Sequence, residues 1–473
     1  MLEKNDVVTI TIEDVSMNGE GIGKSNGYTL FVKDAIVGDV AEVKVTKAKK
    51  TYGYGRLMKI IEPSPHRVAA KCPIARQCGG CQIQEMSYES QLELKQNIVK
   101  NNLERLGGIM PGTYEMCPII GMEEPWHYRN KAQFPVGVNR EGKICMGFYA
   151  GRTHSIIETE KCFLGDAVNE QVLSVIRAYM EENKITAYNE ETGKGIVRHI
   201  LIRKGFKTGQ VMVCLVINAE KLPCWDKLID KLTSGIAGLT SVSVSINREN
   251  TNVIMGNEIK VLWGRPYIED YIGDILYRIS PLSFFQVNPL QTEKLYKKAL
   301  EFAELTGSET VWDLYCGIGT ISLFLARNSR KVYGVEIIPQ AIDNARENAE
   351  INGITNAEFF VGKSEEVLPR FYEEEYRRTG IRPTADVIVV DPPRKGCEET
   401  LLQTIVDMEP KRVVYVSCDS ATLARDLKFL TAHGYEVRKV QAVDQFGQTV
   451  HVETVCLLGN RKPDTKVKID VDG

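Results

Sequence analysis

No excess of positive charge marks this chain: 59 Lys and Arg stand against 62 Asp and Glu, a net charge of −3. That excludes a nucleic-acid binder relying on bulk charge and leaves local basic patches open. Long apolar runs are missing too. The longest have strand length, too short to span a membrane. The first residues, MLEKNDVVTITIED, lack the basic, apolar and small-residue succession of a secretory leader. A cytosolic protein is therefore expected. No internal repeat or low-complexity block stands out. Twelve cysteines are present, but their uneven spacing in a cytosolic chain argues against a disulfide framework.

With 473 residues, 43% apolar and 26% charged, the chain reads as globular and too long for one core. About two to four domains are expected. Residues 1–62 alternate in short strands with glycine-rich turns, as in a small β-barrel of the OB type. Within them VKVTKAKKTYGYGRLMKI (43–60) carries Lys44, Lys47, Lys49, Lys50, Arg56 and Lys59 around Tyr52 and Tyr54, with no acidic residue. It is either a solvated strand face or a phosphate-contacting surface whose rings stack on bases. EPSPHRV (62–68) marks a domain edge. A helix is expected over 86–107, stopped by Gly107-Gly108. Mixed strands and helices follow to about 270; Cys214 there, and Cys456 in TVCLL near the end of the chain, read as small core residues. From 271 to 460 strands alternate with helices, the pattern of a mostly parallel sheet, and 461–473 is a polar tail.

The chemistry-bearing segments lie in that last part. TVWDLYCGIGTISLFLA (310–326) reads as strand, glycine turn and helix, with Gly317 and Gly319 allowing close backbone approach of a ligand. A dinucleotide fingerprint wants a third glycine at 322, and the chain has Ser322. Glu336 closes the next strand, where a carboxylate can accept both ribose hydroxyls or serve as a helix cap or surface acid. Asp391 and a Pro-Pro lip end the fourth strand. Together these favour S-adenosylmethionine over a dinucleotide. Upstream, SFFQVNP holds Phe284 and Phe285, aromatics of a kind usually buried, and Gln286, which can hydrogen-bond the methionine part of such a ligand. VVYVSCDSATLARDL (413–427) sets Cys418 where an apolar strand turns into a helix. It is either a core thiol or a thiol at a helix N-terminus, where the dipole favours thiolate. Asp419 or Ser420 can cap that helix, and the charge of Asp419 opposes ionisation.

DLYCGIGT, DPPRKG, YVSCDSATLARDL and HVETV, with FFQVNP ahead of them, resemble the RNA uracil-5-methyltransferases over nearly the whole chain. The barrel, similar to a TRAM domain, and the C-x5-C-x2-C segment resemble the 23S rRNA branch. The resemblance implies an α/β, Rossmann-like methyltransferase domain behind the barrel and a central α+β domain (63–270). It implies that helix 86–107 packs on the catalytic part. It also implies methyl transfer from S-adenosylmethionine to carbon 5 of uridine in 23S rRNA, by a cytoplasmic monomer. Cys418 would be the nucleophile and Glu453 the base, with Gln286, Tyr315, Glu336, Asp391, Gly317 and Gly319 around the cofactor. After the third strand GKSEE lacks the acid that many methyltransferases place on adenine.

Cys72, Cys78 and Cys81 crowd into ten residues, with Gly79-Gly80 allowing a tight fold, and Cys162 in TEKCFLG is the chosen fourth sulfur. Four thiolates suit zinc or an iron–sulfur cluster. Spacing slightly favours zinc, and the resemblance favours a [4Fe–4S] cluster that shapes the RNA-binding surface. WHYRNKAQF (126–134) is either a plain strand and turn or an RNA contact through Arg129 and Lys131. The target base has to leave its stack or lie in a single-stranded loop. Two rival readings are a tRNA uridine methyltransferase and a noncatalytic RNA-binding or assembly factor.

Overall fold

Period-two alternation in VVTITIEDV turns Ile10 and Ile12 inward, a bulge after Ile12 shifts the phase so that Val15 is buried too, and the residues between them stay solvated. Four more strands repeat that pattern and close on the first. In this computed structural model, which describes residues 2–461 apart from 152, 160, 382 and 384, the closed barrel has the order β1-β2-β3-β5-β4. Its strands are β1 (Val7–Val15), β2 (Gly21–Ser25), β3 (Tyr28–Lys33), β4 (Val40–Ala48) and β5 (Tyr52–Glu62). Leu30, Val32, Ala41, Val43 and Val45 fill its interior. The polar tail, beyond Arg461, lies outside the described residues.

Helix α1 (Tyr88–Arg105) starts at Ser87, whose side chain accepts from the Ser90 amide. Strand β6 (Glu115–Ile120) follows. The central part is a seven-stranded sheet of order β13-β12-β11-β10-β7-β8-β9. It comprises β7 (Lys131–Val138), β8 (Ile144–Tyr149), β9 (Ile156–Glu158), β10 (Val197–Lys204), β11 (Val211–Ile217), β12 (Leu239–Ile246) and β13 (Glu258–Gly264). Helices α2 (Val168–Glu182) and α3 (Trp225–Gly235) pack their apolar faces on it. The middle strand β11, VMVCLVI, is buried along its whole length, and Cys214 is a core residue there. A hairpin of β14 (Ile268–Ile272) and β15 (Ile275–Ile279) leads onward.

The rest is a doubly wound unit. Its helices are α4 (Pro289–Ala303), α5 (Thr320–Ala326), α6 (Pro339–Ile351), α7 (Ser364–Thr379), α8 (Glu399–Met408) and α9 (Ser420–Ala432). Its strands are β16 (Thr310–Asp313), β17 (Lys331–Glu336), β18 (Ala357–Val361), β19 (Val387–Val390), β20 (Arg412–Ser417), β21 (Tyr435–Val443) and β22 (Glu453–Asn460). The sheet order is β18-β17-β16-β19-β20-β22-β21-β6. Strands β16 to β20 run parallel, β22 is antiparallel, and apolar cores cover both faces. In such sheets the ligand crevice lies at the carboxyl ends, where strand order reverses beside β16.

Two departures from the sequence reading shape the site. Residues 115–120, read as part of the central segment, instead add the last strand of the large sheet, β6, parallel to β21. Beside it, where the resemblance put helix 86–107, α1 buries Val99 and Leu103 in the core of that same unit. The aromatic pair of SFFQVNP also divides: Phe285 is buried, while Phe284 is 72% exposed. No helix among the described residues is long and apolar enough to cross a membrane.

Candidate active site at the strand ends

Strand pairing brings the chemistry together. In the antiparallel pair β20–β22, Ser417 stands opposite Thr454. The next step along each strand therefore sets Cys418 beside Glu453. On the other side of β20, β19 runs parallel and ends at Val390, opposite Tyr415. Asp391 thus emerges at the same end, one strand away. Asp313 ends β16, next in the sheet. A thiol and three carboxyl groups line up across four neighbouring strand ends.

Cys418 is half-buried and Glu453 is buried. Burial, then the neighbouring acids Glu453 and Asp391, push the Cys418 thiol up to about 11, while Arg394 pulls it down. Glu453 rises to about 8 through burial and then Asp391, against the same Arg394. Asp391 rises to about 7 through burial and Asp313. Asp313 rises to about 6 through burial, although its Oδ2 accepts a 2.5 Å hydrogen bond from the Ser322 hydroxyl. The residue in place of the third glycine therefore has a use. It satisfies one oxygen of a buried acid, while Asp313 Oδ1 has no partner among the described residues.

The helix after the thiol is capped by Asp419, whose side chain accepts from the Ala421 and Thr422 amides at 2.9 and 3.1 Å. The helix dipole and the Asp419 charge act in opposite directions, and the direction at Cys418 is upward. The DPPRKG lip is fastened to the same helix. Asp426, fully buried, accepts from the Cys397 amide at 2.8 Å and the Tyr415 hydroxyl at 2.6 Å. Thr422 donates to the Arg394 carbonyl at 3.1 Å, and Arg425 to the Lys395 carbonyl at 3.0 Å. These bonds hold Arg394 beside the thiol.

The loop from Asp444 to Val452, leading into Glu453, is held from several sides. Lys95 of α1 pairs with Asp444 at 2.5 Å, both fully buried, and donates to the Phe446 carbonyl at 3.0 Å. The Tyr88 hydroxyl donates to Asp444 at 2.7 Å. Gln448, at φ +69°, exchanges two 3.0 Å hydrogen bonds with Gln91. Its carbonyl accepts from the Gln82 and Ile83 amides, just past Cys81.

The glycine turn separates two needs. Gly317, at φ +54°, faces open space: an added Cβ would meet nothing within 4 Å. Gly319, at φ +84°, is packed, and a Cβ there would stand 3.3 Å from Ala345 Cβ. Glu336 ends β17 half-exposed, and one of its oxygens accepts from the Ile338 amide at 3.0 Å. The apolar side chains of Ile337 and Ile338 are exposed beside it. Gln286 is buried, its carbonyl accepting from Asn130 at 3.0 Å. Tyr315 is half-buried; burial, then Cys397 of the lip, raises its pKa. An open glycine turn, an orphaned buried carboxylate oxygen and a strand-end Glu form a donor set suited to a cationic adenosine ligand such as S-adenosylmethionine.

Three groups at this site stand outside the sequence reading: Asp313, Arg394 and His451. Arg394 is exposed and forms no ion pair among the described residues. His451 is half-buried and lowered by burial and then by Arg394 and Lys95, and its ring lies 6.2 Å from that of Phe446. The Asp at the end of strand 310–313 and the Arg inside DPPRKG were the signals that could have found the first two.

Apart from the strand ends, Cys72, Cys78, Cys81 and Cys162 all line one cavity of about 310 Å³, with Arg129 and Lys131 on its wall. Burial, with the other thiols adding to it, raises Cys72, Cys78 and Cys81, the last to about 12. No group of three or more His, Cys, Asp or Glu side chains among the described residues is placed to hold a metal ion, so this arrangement does not support the metal site expected at the four cysteines.

Comparison with known proteins accords with this geometry. A family model described as tRNA (uracil-5-)-methyltransferase matches residues 87–461, and a TRAM domain model matches residues 2–58. An uncharacterized RNA methyltransferase of Halalkalibacterium halodurans is 51% identical over 457 residues, 97% of this chain and 98% of the relative. Another, of Clostridium acetobutylicum, is 50% identical over 457 residues with the same coverage of both chains. Among solved structures, the Pyrococcus abyssi tRNA (uracil-54, C5)-methyltransferase in complex with S-adenosyl-L-homocysteine superposes with a TM-score of 0.75. It is 28% identical and covers 95% of this chain and all of its own.

Proposed function

The chain belongs to the tRNA (uracil-5-)-methyltransferase family and carries a TRAM domain, and from that premise we propose that it methylates carbon 5 of uridine in 23S rRNA through a temporary Cys418–uracil bond. That it is an RNA methyltransferase using S-adenosylmethionine rests on the family. The target and the covalent route are the proposal. The observation that carries it is the β20–β22 register, which sets a half-exposed thiol beside a buried carboxyl group.

Carbon 5 of uracil is a weak nucleophile. Cys418 loses its proton to solvent, and its thiolate sulfur adds to carbon 6, which moves an electron pair toward carbon 5 and turns one hard step into easier ones. S-Adenosylmethionine, when bound, supplies a methyl group on a positively charged sulfur, and that charge favours ionised Cys418 and Glu453. Carbon 5, now methylated, still holds its hydrogen. The Glu453 carboxylate takes that proton, the electron pair re-forms the ring double bond, and the Cys418–carbon 6 bond breaks. General base catalysis of this kind is typically worth ~10²–10⁴-fold. Arg394, the cation facing both groups, lowers both toward their ionised forms.

In this reading Glu336 takes the ribose hydroxyls and Asp313 with Asp391 faces the methionine ammonium. Gln286 and Tyr315 border the cofactor along Gly317 and Gly319, and Ile337 and Ile338 flank the adenine. Cys72, Cys78, Cys81 and Cys162 hold a [4Fe–4S] cluster. What supports this reading is that all four thiols line one cavity. A monomer in the cytoplasm completes the proposal.

A tRNA target is the second reading. It is favoured by the Pyrococcus abyssi enzyme, which overlays 95% of this chain and is named for uracil 54 of tRNA. Purified 23S rRNA and tRNA transcripts, incubated side by side with the protein and the methyl donor, separate the two. 5-Methyluridine is expected in the rRNA, and its appearance in tRNA alone would overturn that target.

A further inference from the structure

Helix α9 carries a buried carboxylate that takes no part in the proposed reaction. Asp426, midway along the helix, is fully buried. Its Oδ1 accepts from Arg425 Nε at 2.8 Å, while its Oδ2 takes both the Cys397 amide and the Tyr415 hydroxyl. Arg425 turns back over the lip and donates from Nη2 to the Lys395 and Cys397 carbonyls, at 3.0 and 3.1 Å. The lip closes on this pair at Gly396, φ +76°. A Cβ there would stand 2.6 Å from Arg425 Nη2, 2.7 Å from Asp426 Oδ2 and 3.2 Å from Thr422 Cβ. Only a residue without a side chain allows so close an approach.

The same carboxylate ends a chain of hydrogen bonds. Tyr315 lies on the cofactor turn, two residues past the end of β16, and its hydroxyl bonds the Cys397 thiol. That thiol donates to the Tyr415 hydroxyl at 3.5 Å, which donates to Asp426 at 2.6 Å. Cys397, Tyr415 and Asp426 are all buried. Every donor points the same way, toward a charged acceptor, and bonds in such buried chains strengthen one another.

The chain starts where the cofactor would lie and ends behind the thiol. Tyr415 stands on β20 three residues ahead of Cys418, and Asp426 stands on the helix that follows it. The lip between them bears Arg394, whose carbonyl accepts from Thr422 of that helix at 3.1 Å. Around Cys418 stand Glu453 of β22, Asp391 at the end of β19 and Asp419 of its own helix cap, with Arg394 as the cation among them. His451 faces Arg394 from the 444–452 loop.

We propose that Tyr415 and Asp426 are positioning residues that join the cofactor turn, the lip and the start of α9 into one unit, so that a ligand seated at Tyr315 helps to set Arg394 against Cys418 and Glu453. This rests on the reading of the protein as a methyltransferase that works through Cys418.

Two readouts on the full chain test it, and neither needs methyl transfer. Alkylation of Cys418 by iodoacetamide, located by digestion and mass analysis, is followed over the pH range below about 11. Calorimetry follows the binding of S-adenosylhomocysteine. Tyr415→Phe, which removes one hydroxyl from a buried chain, is expected to slow alkylation and to weaken S-adenosylhomocysteine about threefold each. Asp426→Asn is expected to do both about tenfold, since a thiol raised by one pKa unit leaves a tenth of its thiolate. If Asp426→Asn does not fold, Tyr415→Phe carries the test alone. In an Arg394→Gln background neither substitution slows alkylation further, while the weaker S-adenosylhomocysteine binding persists. Wild-type alkylation and binding in Tyr415→Phe overturn the coupling. So does a slowing that persists undiminished without Arg394, or a lower denaturation midpoint with an unmoved alkylation profile. Methyl transfer by the wild-type protein is measured in the same preparation. If it methylates RNA while the variants behave as wild type, the coupling alone falls. If the Arg394-dependent shift appears but no methyl reaches RNA, the enzymatic reading falls and the coupling stands.

Discussion

At the scale of single residues, Cys418 and Glu453 both hold their protons at neutral pH in the ligand-free site. Burial and the crowd of acids raise the thiol to about 11 and the carboxyl to about 8. A protonated Glu453 accepts no proton, and a thiol is a poor nucleophile. The sign follows directly. As pH rises through about 8, Glu453 becomes a base, so kcat/KM, which reports the free enzyme, is expected to climb from pH 6 to pH 9. Arg394→Gln removes the cation that lowers both groups and moves the rise to higher pH, with a loss of about tenfold or more at neutral pH. A pH–rate profile of both proteins checks this, and a flat wild-type profile over that range would sink it. Cys418 and Glu453 could be found from sequence because each sits at the end of an apolar strand inside a recognisable segment. Arg394 was within reach through DPPRKG, but His451 was not, since a lone ring in a loop has no periodic signature and gains meaning only from what the fold puts beside it.

At the scale of elements, α1 does more than cover the sheet. Its buried Lys95 reaches across to Asp444, at the head of the loop that delivers Glu453. Burial lowers the Lys95 pKa, and the Asp444 carboxylate counters that. Removing one partner of such a pair leaves an uncompensated buried charge. Lys95→Met is expected to cost about 3–5 kcal/mol of stability, read as a lower midpoint in denaturant unfolding. An unchanged midpoint would mean that the pair contributes nothing net. The helix itself was legible from its spacing and its glycine stop, and Ser87 caps it close to the expected start. Strand β6 was not placed correctly. It pairs with β21, far along the chain, and only that distant edge decides which sheet takes EMCPII. Gln448 was hidden for a related reason: its bonds to Gln91, Gln82 and Ile83 join segments that lie far apart in sequence.

At the scale of the whole molecule, three segments far apart in sequence meet around one loop. The barrel turn at Gly19, the segment just after Cys81 and helix α1 all abut residues 444–452. Order in the cysteine segment is thereby tied to order near Glu453. Anaerobic purification followed by iron and sulfide analysis is expected to give about four of each per chain, the content of one [4Fe–4S] cluster. Zinc alone would refute the cluster. Barrel, parallel sheet and glycine turn were all readable from alternation and turn residues, because local pattern fixes them. The way the parts share the 444–452 loop was not, because it rests on hydrogen bonds that no local pattern encodes.

The most direct test of the account is intact-mass analysis of the Glu453→Gln protein after incubation with RNA and S-adenosylmethionine, with digestion to locate any attachment. A methylated RNA adduct on Cys418 is predicted, since the hydrogen on carbon 5 then has no base to remove it and the sulfur cannot leave. Absence of any adduct, together with undiminished methyl transfer by Cys418→Ala in the same assay, would contradict it.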